Sequence, residues 1–281
     1  MYFSNRSYMD KVGLSLTYFL IGYIGVASGP LLLWEDLKEW EVTRGILALL
    51  NAFVVLDLLL LVCVSRTRGY VREEEYVPGG RFCYECRMAK PERAHHCTRC
   101  KKCITKMDHH CPWVGSCINA SNLGNFIKLI SSLFISAVLS LCLHSYVFRL
   151  RIREVYDSVV ISPSICLICV NILVMLLAGV GVLFIMIRQI RLMLLNETYL
   201  EHLQVRRLEE LGLERAKNPY RKSLRQNMGS VFGGPLHFLL CRAPAGAASF
   251  GYRNYWPPLR TAKSISSSHV ELNALVGGQT E

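Results

Sequence analysis

The chain has 281 residues, 52% of them apolar, and its 32 lysines and arginines against 21 acidic residues give a formal net charge of +11. The apolar residues gather in four long runs, a distribution that excludes an ordinary soluble globular domain. No base-stacking or groove-reading motif accompanies the charge, so nucleic acid is excluded as a partner and an anionic membrane surface is expected.

In chain order, an N-terminal segment (1–11) leads into "VGLSLTYFLIGYIGVASGPLLLW" (12–34), which is followed by "ILALLNAFVVLDLLLLVCV" (46–64). After a loop at 65–125 come "FIKLISSLFISAVLSLCLHSYVF" (126–148) and "SICLICVNILVMLLAGVGVLFIMI" (164–187). Each run approaches or exceeds the roughly 20 residues that cross a hydrocarbon layer. The first is too long for a signal-peptide core and lacks a cleavage pattern, so it reads as a membrane helix. The predicted fold is an all-α integral membrane protein. Transmembrane helices 1 and 2 lie within 12–64, helices 3 and 4 within 126–187, and a small cysteine-rich domain (65–125) stands between the two pairs.

Basic residues near the span ends set the orientation. The 65–125 loop carries eleven, whereas the 35–45 loop has only Lys38 and Arg44. Arg149, Arg151 and Arg153 after the third span count against the trend; thirteen basic residues from Arg188 onward count for it. Both termini and the cysteine-rich loop are therefore expected in the cytoplasm. Within the spans, Asn51, Asp57, His144 and Asn171 are costly in lipid and are expected to face the bundle interior. Residues 188–216 read as a helix continuing from the fourth span, and 188–234 as a cytoplasmic C-terminal region. The end (235–281), with "APAGAASFGY" and "SISSSH", is expected to be largely disordered. No repeat of useful period is apparent.

The loop is poor in aliphatic residues, so a metal or disulfides must hold it, and a cytoplasmic loop keeps its thiols reduced. It contains Cys83, Cys86, Cys97, Cys100, Cys103, Cys111 and Cys117, with His95, His96, His109 and His110. Two tetrahedral zinc sites need eight ligands, which leaves three of the eleven over. One partition that satisfies the spacing puts Cys83, Cys86, His96 and Cys103 in one site and Cys97, Cys100, His110 and Cys117 in the other. Sites using His95 or His109 count equally well. In that partition Cys111 is free beside His109, which Asp108 precedes: a thiol nucleophile, a base and a carboxylate to orient the base. The plainer alternative makes Cys111 a spare structural thiol.

These residues resemble the DHHC-type protein S-acyltransferases, or palmitoyltransferases. The likeness runs over "CYECRMAKPERAHHCTRCKKCITKMDHHCPWVGSC" and on through Asn122 and Phe126, and includes Lys90, Pro91, Arg93, His95, His96, Pro112 and Trp113. It implies two structural Zn2+ ions on the eight ligands above and acylation of Cys111 by a long-chain acyl-CoA. The acyl group then passes to cysteines of protein substrates at the cytoplasmic membrane surface. "NETYLE" is similar to the family's Thr-Thr-x-Glu element through Thr198 and Glu201, with Tyr199 in place of the second threonine; Thr198 is expected near Asp108. "NPYRKSLRQNMGSVFG" is similar to a tail element in which Asn227 braces the chain. The usual Asp-Pro-Gly after the second span is reduced to Gly69, and Gly115, Ser116, Ile118 and Asn119 replace residues around the last cysteine.

Arg93, Arg99, Lys101, Lys102 and Lys106 are candidate partners for the CoA phosphates, and Trp113 for the thioester end. An endomembrane, ER or Golgi, is the expected location rather than the plasma membrane. Two rival functions are a catalytically silent zinc-containing scaffold and a membrane-anchored ubiquitin ligase, the latter using Cys111 as a ligand.

Overall fold

The computed structural model describes residues 7–26, 33–37, 41–72, 81–158, 163–212, 218–234 and 238. Helix α1 (Tyr8–Val26), the single turn α2 (Trp34–Leu37) and α3 (Glu41–Arg66) precede three small antiparallel hairpins. These are β1–β2 (Phe82–Cys83 with Met88–Ala89), β3–β4 (His95–Cys97 with Lys102–Ile104) and β5–β6 (His109–Cys111 with Ser116–Ile118). Helices α4 (Leu123–Ser158) and α5 (Pro163–Leu195) form the second half of the bundle, and α6 (Tyr199–Glu210) and α7 (Leu224–Phe232) follow.

Among the described residues, three helices are long and apolar enough to cross a membrane: α3, α4 as far as Arg153, and α5. Helix α1 carries part of the expected first span, whose residues 27–32 lie outside the described ones. Helices α3, α4 and α5 pack side by side and α1 lies against α3, enclosing Leu14, Leu50, Leu61, Leu129 and Ile168. Outside that core α5 exposes Leu173, Leu176, Leu177, Val180 and Phe184. A helix apolar on every face belongs in lipid rather than water.

The polar residues of the spans turn inward, as expected for Asp57, His144 and Asn171. The Ser136 hydroxyl donates to Asp57 Oδ2 at 2.7 Å, and the Tyr23 hydroxyl to Asn171 Oδ1 at 2.7 Å. Asn51 is half-buried and donates to Leu47 O in its own helix.

The hairpins contain a short duplication that a search for long periods misses. "HHCTRCKKCI" (95–104) and "HHCPWVGSCI" (109–118) share His-His-Cys, a five-residue interval and Cys-Ile. Their registers match: His96 faces Cys103 as His110 faces Cys117. The residue after each knuckle, Arg87, Lys101 or Gly115, has a left-handed backbone with φ of 53°, 54° and 58°. That conformation closes a turn tightly enough to aim two nearby side chains at one point.

The continuous helix expected over 188–216 is broken. Helix α5 ends at Leu195, Asn196 takes φ 50°, and Thr198 caps α6 with a reciprocal bond to Glu201. Asn196 tolerates the left-handed conformation, and the Thr-x-x-Glu capping box starts a new helix in a new direction. Residues 213–217 and the expected disordered end, apart from Phe238, lie outside the described residues. Asn227 is fully buried and donates to Leu194 O (2.8 Å) and Lys222 O (3.2 Å), tying α7 to the end of α5.

Candidate active site

Two groups of four side chains converge, each with its ligand atoms within 4.8 Å of one another: Cys83, Cys86, His96 and Cys103; and Cys97, Cys100, His110 and Cys117. A tetrahedron with Zn–S about 2.3 Å and Zn–N about 2.0 Å has S···N edges of about 3.5 Å. His96 Nδ1 lies 3.5 Å from Cys83 Sγ and 3.3 Å from Cys86 Sγ. His110 Nδ1 lies 3.5 Å from the sulfurs of Cys97, Cys100 and Cys117. Either group has the donors and the spacing for a metal ion of zinc's kind. Of the adjacent histidines it is His96 and His110 that join the clusters; His95 is half-buried near Arg93 and Glu201, where loss of solvent pulls its pKa down to about 4.

The duplication explains why Cys111 falls outside both clusters. The first two hairpins each offer a cysteine pair, and the next hairpin completes the set with its histidine and second-strand cysteine: Cys83 and Cys86 meet His96 and Cys103, then Cys97 and Cys100 meet His110 and Cys117. Cys111 occupies the third hairpin's equivalent of Cys97, but Val114 stands where a second cysteine would be. Helix α4 follows instead of a fourth hairpin. The cross-braced arrangement that a ubiquitin ligase needs, with Cys111 as ligand, is therefore not the one formed.

Asp108 and His109 flank this sulfur. His109 Nδ1 is 2.6 Å from Asp108 Oδ2, which leaves Nε2 for Cys111. Asp108 is buried, and accepts from Gln189 Nε2 (3.1 Å) on α5 and from the Tyr199 amide (2.7 Å) at the start of α6. Burial pushes the Asp108 pKa up, but the bond and charge of His109 and the two further donors outweigh it, and the carboxyl is held below its usual range. Burial also acts against the charged form of His109. Bonds to Asp108 and Cys111 overcome that and raise its pKa to about 9. The rings of Phe126 and Tyr199 stand edge-on to the imidazole at 5.6 and 6.3 Å.

The other expected site residues divide. Trp113, two residues past Cys111, is 54% exposed, and Lys101 and Lys102 are exposed at the turn of β3–β4. Arg93 departs from the expectation that it faces the cytoplasm to meet phosphate. It is buried, its guanidinium bonds Glu201 through Nε (2.6 Å) and Nη2 (2.7 Å), and it stacks on Tyr220. Lys106 is also buried and donates to Asn196 Oδ1 at 3.1 Å; burial, with Arg93 beside it, lowers its pKa to about 7. Arg99 lies 3.4 Å from Asp10. Thr198 does approach Asp108, but through the next residue's amide; its own hydroxyl accepts from Glu201 N. Asp10, Gln189 and the Tyr199 backbone were not singled out from sequence, because each reaches the site across 80 residues or more.

Residues 77–206 match the family model of the DHHC palmitoyltransferases. Among relatives, the chain is 30% identical over 201 residues to "Probable protein S-acyltransferase 2" of Arabidopsis thaliana, covering 70% of this chain and 44% of that one. It is 34% identical over 155 residues to "Palmitoyltransferase ZDHHC15" of Xenopus laevis, covering 54% and 44%. To "Palmitoyltransferase ZDHHC7" of Mus musculus it is 34% identical over 181 residues, covering 61% and 54%. The chain thus spans about half the length of these relatives.

Proposed function

We propose that this chain, whose residues 77–206 belong to the DHHC palmitoyltransferase family, is a protein S-acyltransferase that works through an S-acyl-Cys111 intermediate. One observation carries the reading: the Cys111 sulfur stands outside both metal clusters and next to an imidazole bonded to a buried carboxylate.

In the first half-reaction Cys111 gives its proton to His109 and its sulfur attacks the thioester carbon of a long-chain acyl-CoA. The carbon–sulfur bond to CoA breaks, and His109 returns the proton to the departing thiolate. In the second, His109 takes the proton of a substrate cysteine, whose sulfur attacks S-acyl-Cys111 and releases the Cys111 thiolate. Asp108 fixes the imidazole tautomer and stabilises its protonated form. Thioester exchange is nearly neutral in energy, so lowering the barrier suffices.

Zinc ions on the two clusters would supply rigidity, because four protein ligands close each site to substrate. Removal of metal should collapse the hairpins, which have little apolar core of their own beyond Cys97, Ile104, Met107 and Cys117. The remaining assignments belong to the same proposal: a fourth membrane span formed by 12–34, cytoplasmic termini, and the acyl chain lying among the helices. The contact of Asp10 at the start of α1 with His110 favours a first helix that begins on the side of the cysteine-rich domain. Substrates would be proteins with cysteines near the cytoplasmic face of an endomembrane, with Trp113, Lys101 and Lys102 near the incoming thioester and CoA. Thr198, Glu201 and Asn227 would brace the site.

Incubation with a clickable fatty acyl-CoA should label the wild type through a hydroxylamine-sensitive bond and leave Cys111→Ala unlabelled. Retained thioester label on the variant would sink the assignment of Cys111.

A further inference from the structure

We propose that helix α1 positions the nucleophile segment: Asp10 orients the candidate metal ligand His110, Gly13 lets the helix close on Pro112, and Thr17 holds the Trp113 carbonyl. These three residues, with the fully buried Leu14, fall at i, i+3, i+4 and i+7, one face of a helix. The residues they meet lie on both sides of Cys111.

Asp10 is a buried carboxylate in the first turn of a helix that is otherwise mostly apolar. Its Oδ1 is 2.9 Å from His110 Nε2, while His110 Nδ1 faces the three sulfurs of its cluster. Both ring nitrogens are thereby committed. A proton on Nε2 shared with Asp10 leaves Nδ1 as the lone-pair donor to a metal, the usual part of a carboxylate behind a ligating histidine. Arg99, on the β3–β4 turn, donates through Nη1 to the same Oδ1 at 3.4 Å, and the Asp10 amide donates to Ser7 Oγ at 3.2 Å.

One turn on, no side chain fits. A Cβ on Gly13 would stand 2.7 Å from Pro112 O and 3.0 Å from Pro112 C, backbone atoms that cannot swing aside. One turn further, the Thr17 hydroxyl lies 2.9 Å from Trp113 O and equally near Gly13 O in its own helix. The turn carrying Cys111 is therefore held from outside the cysteine-rich domain, at a distance set by the absence of one side chain. The role of α1 in placing Cys111 rests on the acyltransferase reading; its role behind His110 does not.

Full-length protein in detergent separates the two. Asp10→Ala should release one of two bound zinc ions to a chelator about 10–100-fold more readily, the other at the wild-type rate, and Asp10→Asn, which keeps an acceptor oxygen, should recover part of the difference. Equal release from wild type and Asp10→Ala would overturn that half. Gly13→Leu should keep both ions yet acylate Cys111 up to about 100-fold more slowly, whereas Gly22→Leu, with open space on the same helix, should acylate normally. Equal labelling of the two leucine variants would overturn the other half. If Gly13→Leu sheds both ions, Thr17→Val takes its place, with slowed labelling expected at unchanged zinc release and wild-type labelling counting against the proposal. Failure of wild type and Gly22→Leu alike to take label would instead defeat the acyltransferase reading, and zinc release alone would then decide the part played by α1.

Discussion

Asp108 accepts from an imidazole, an amide side chain and a backbone amide, so its orientation is fixed before any substrate arrives. Asp108→Asn should keep the fold and both metal ions but present the wrong hydrogen-bonding partner to His109. Acylation of Cys111 should fall by about 10³–10⁴, measured as the initial rate of label uptake at saturating acyl-CoA. The His109 shift also makes stability depend on pH. Its folded pKa is raised, so the stabilisation is fully present below the unfolded value of about 6.5 and is lost as pH rises through about 9. Thermal melting of the wild type should drop between about pH 7 and pH 10 by more than that of His109→Ala; equal slopes would remove His109 as the source. Asp108, His109 and Cys111 could be singled out in the sequence because they fall within four consecutive residues that lead into and form β5. Asp10 and Gln189 could not, since only the packing of α1 and α5 beside that strand brings them to His110 and Asp108.

The capping box at the start of α6 links secondary structure to chemistry. Thr198→Ala should cost about 1 kcal/mol and loosen the Tyr199 amide from Asp108, slowing acylation while zinc content stays constant. Gly69 makes a comparable link between the end of α3 and the hairpins. A Cβ there would stand 2.2 Å from Asn119 Oδ1, in a side chain that is buried and that donates to Cys117 O. Gly69→Ala should therefore destabilise the protein by about 1–3 kcal/mol, read as a lower melting temperature. The retention of this glycine where the rest of the usual Asp-Pro-Gly is lost thus has a local steric reason. At this scale three of the four expected spans, α3, α4 and α5, and the tail's asparagine were visible in the sequence through hydropathy and motif. The break at Asn196 was not, because leucines and charges continue across it with helical spacing and only the capping residues mark it. The hairpin duplication was hidden for the opposite reason: its common residues are few and its period is shorter than those of familiar repeats.

At the scale of the whole molecule, the proposed orientation rests on charge and on the contact of α1 with the hairpins. The three arginines after the third span run against the basic-residue count, yet Arg151 is ion-paired with Asp36 on α2, so one of those charges is partly neutralised at the far end. A glycosylation acceptor inserted at 159–162 should acquire a glycan, whereas one inserted at 73–80 should not; a glycan at the second site would invert the proposed orientation. The relay of cysteine pairs from hairpin to hairpin has one more consequence. It stops one sulfur short, leaving Cys111 on a turn shaped to embrace a cation but with a valine in place of the matching ligand. One thiol beside one imidazole is two donors short of a closed tetrahedral site, so in the proposed reaction this sulfur, alone among the seven of the hairpins, would keep a lone pair for an acyl carbon.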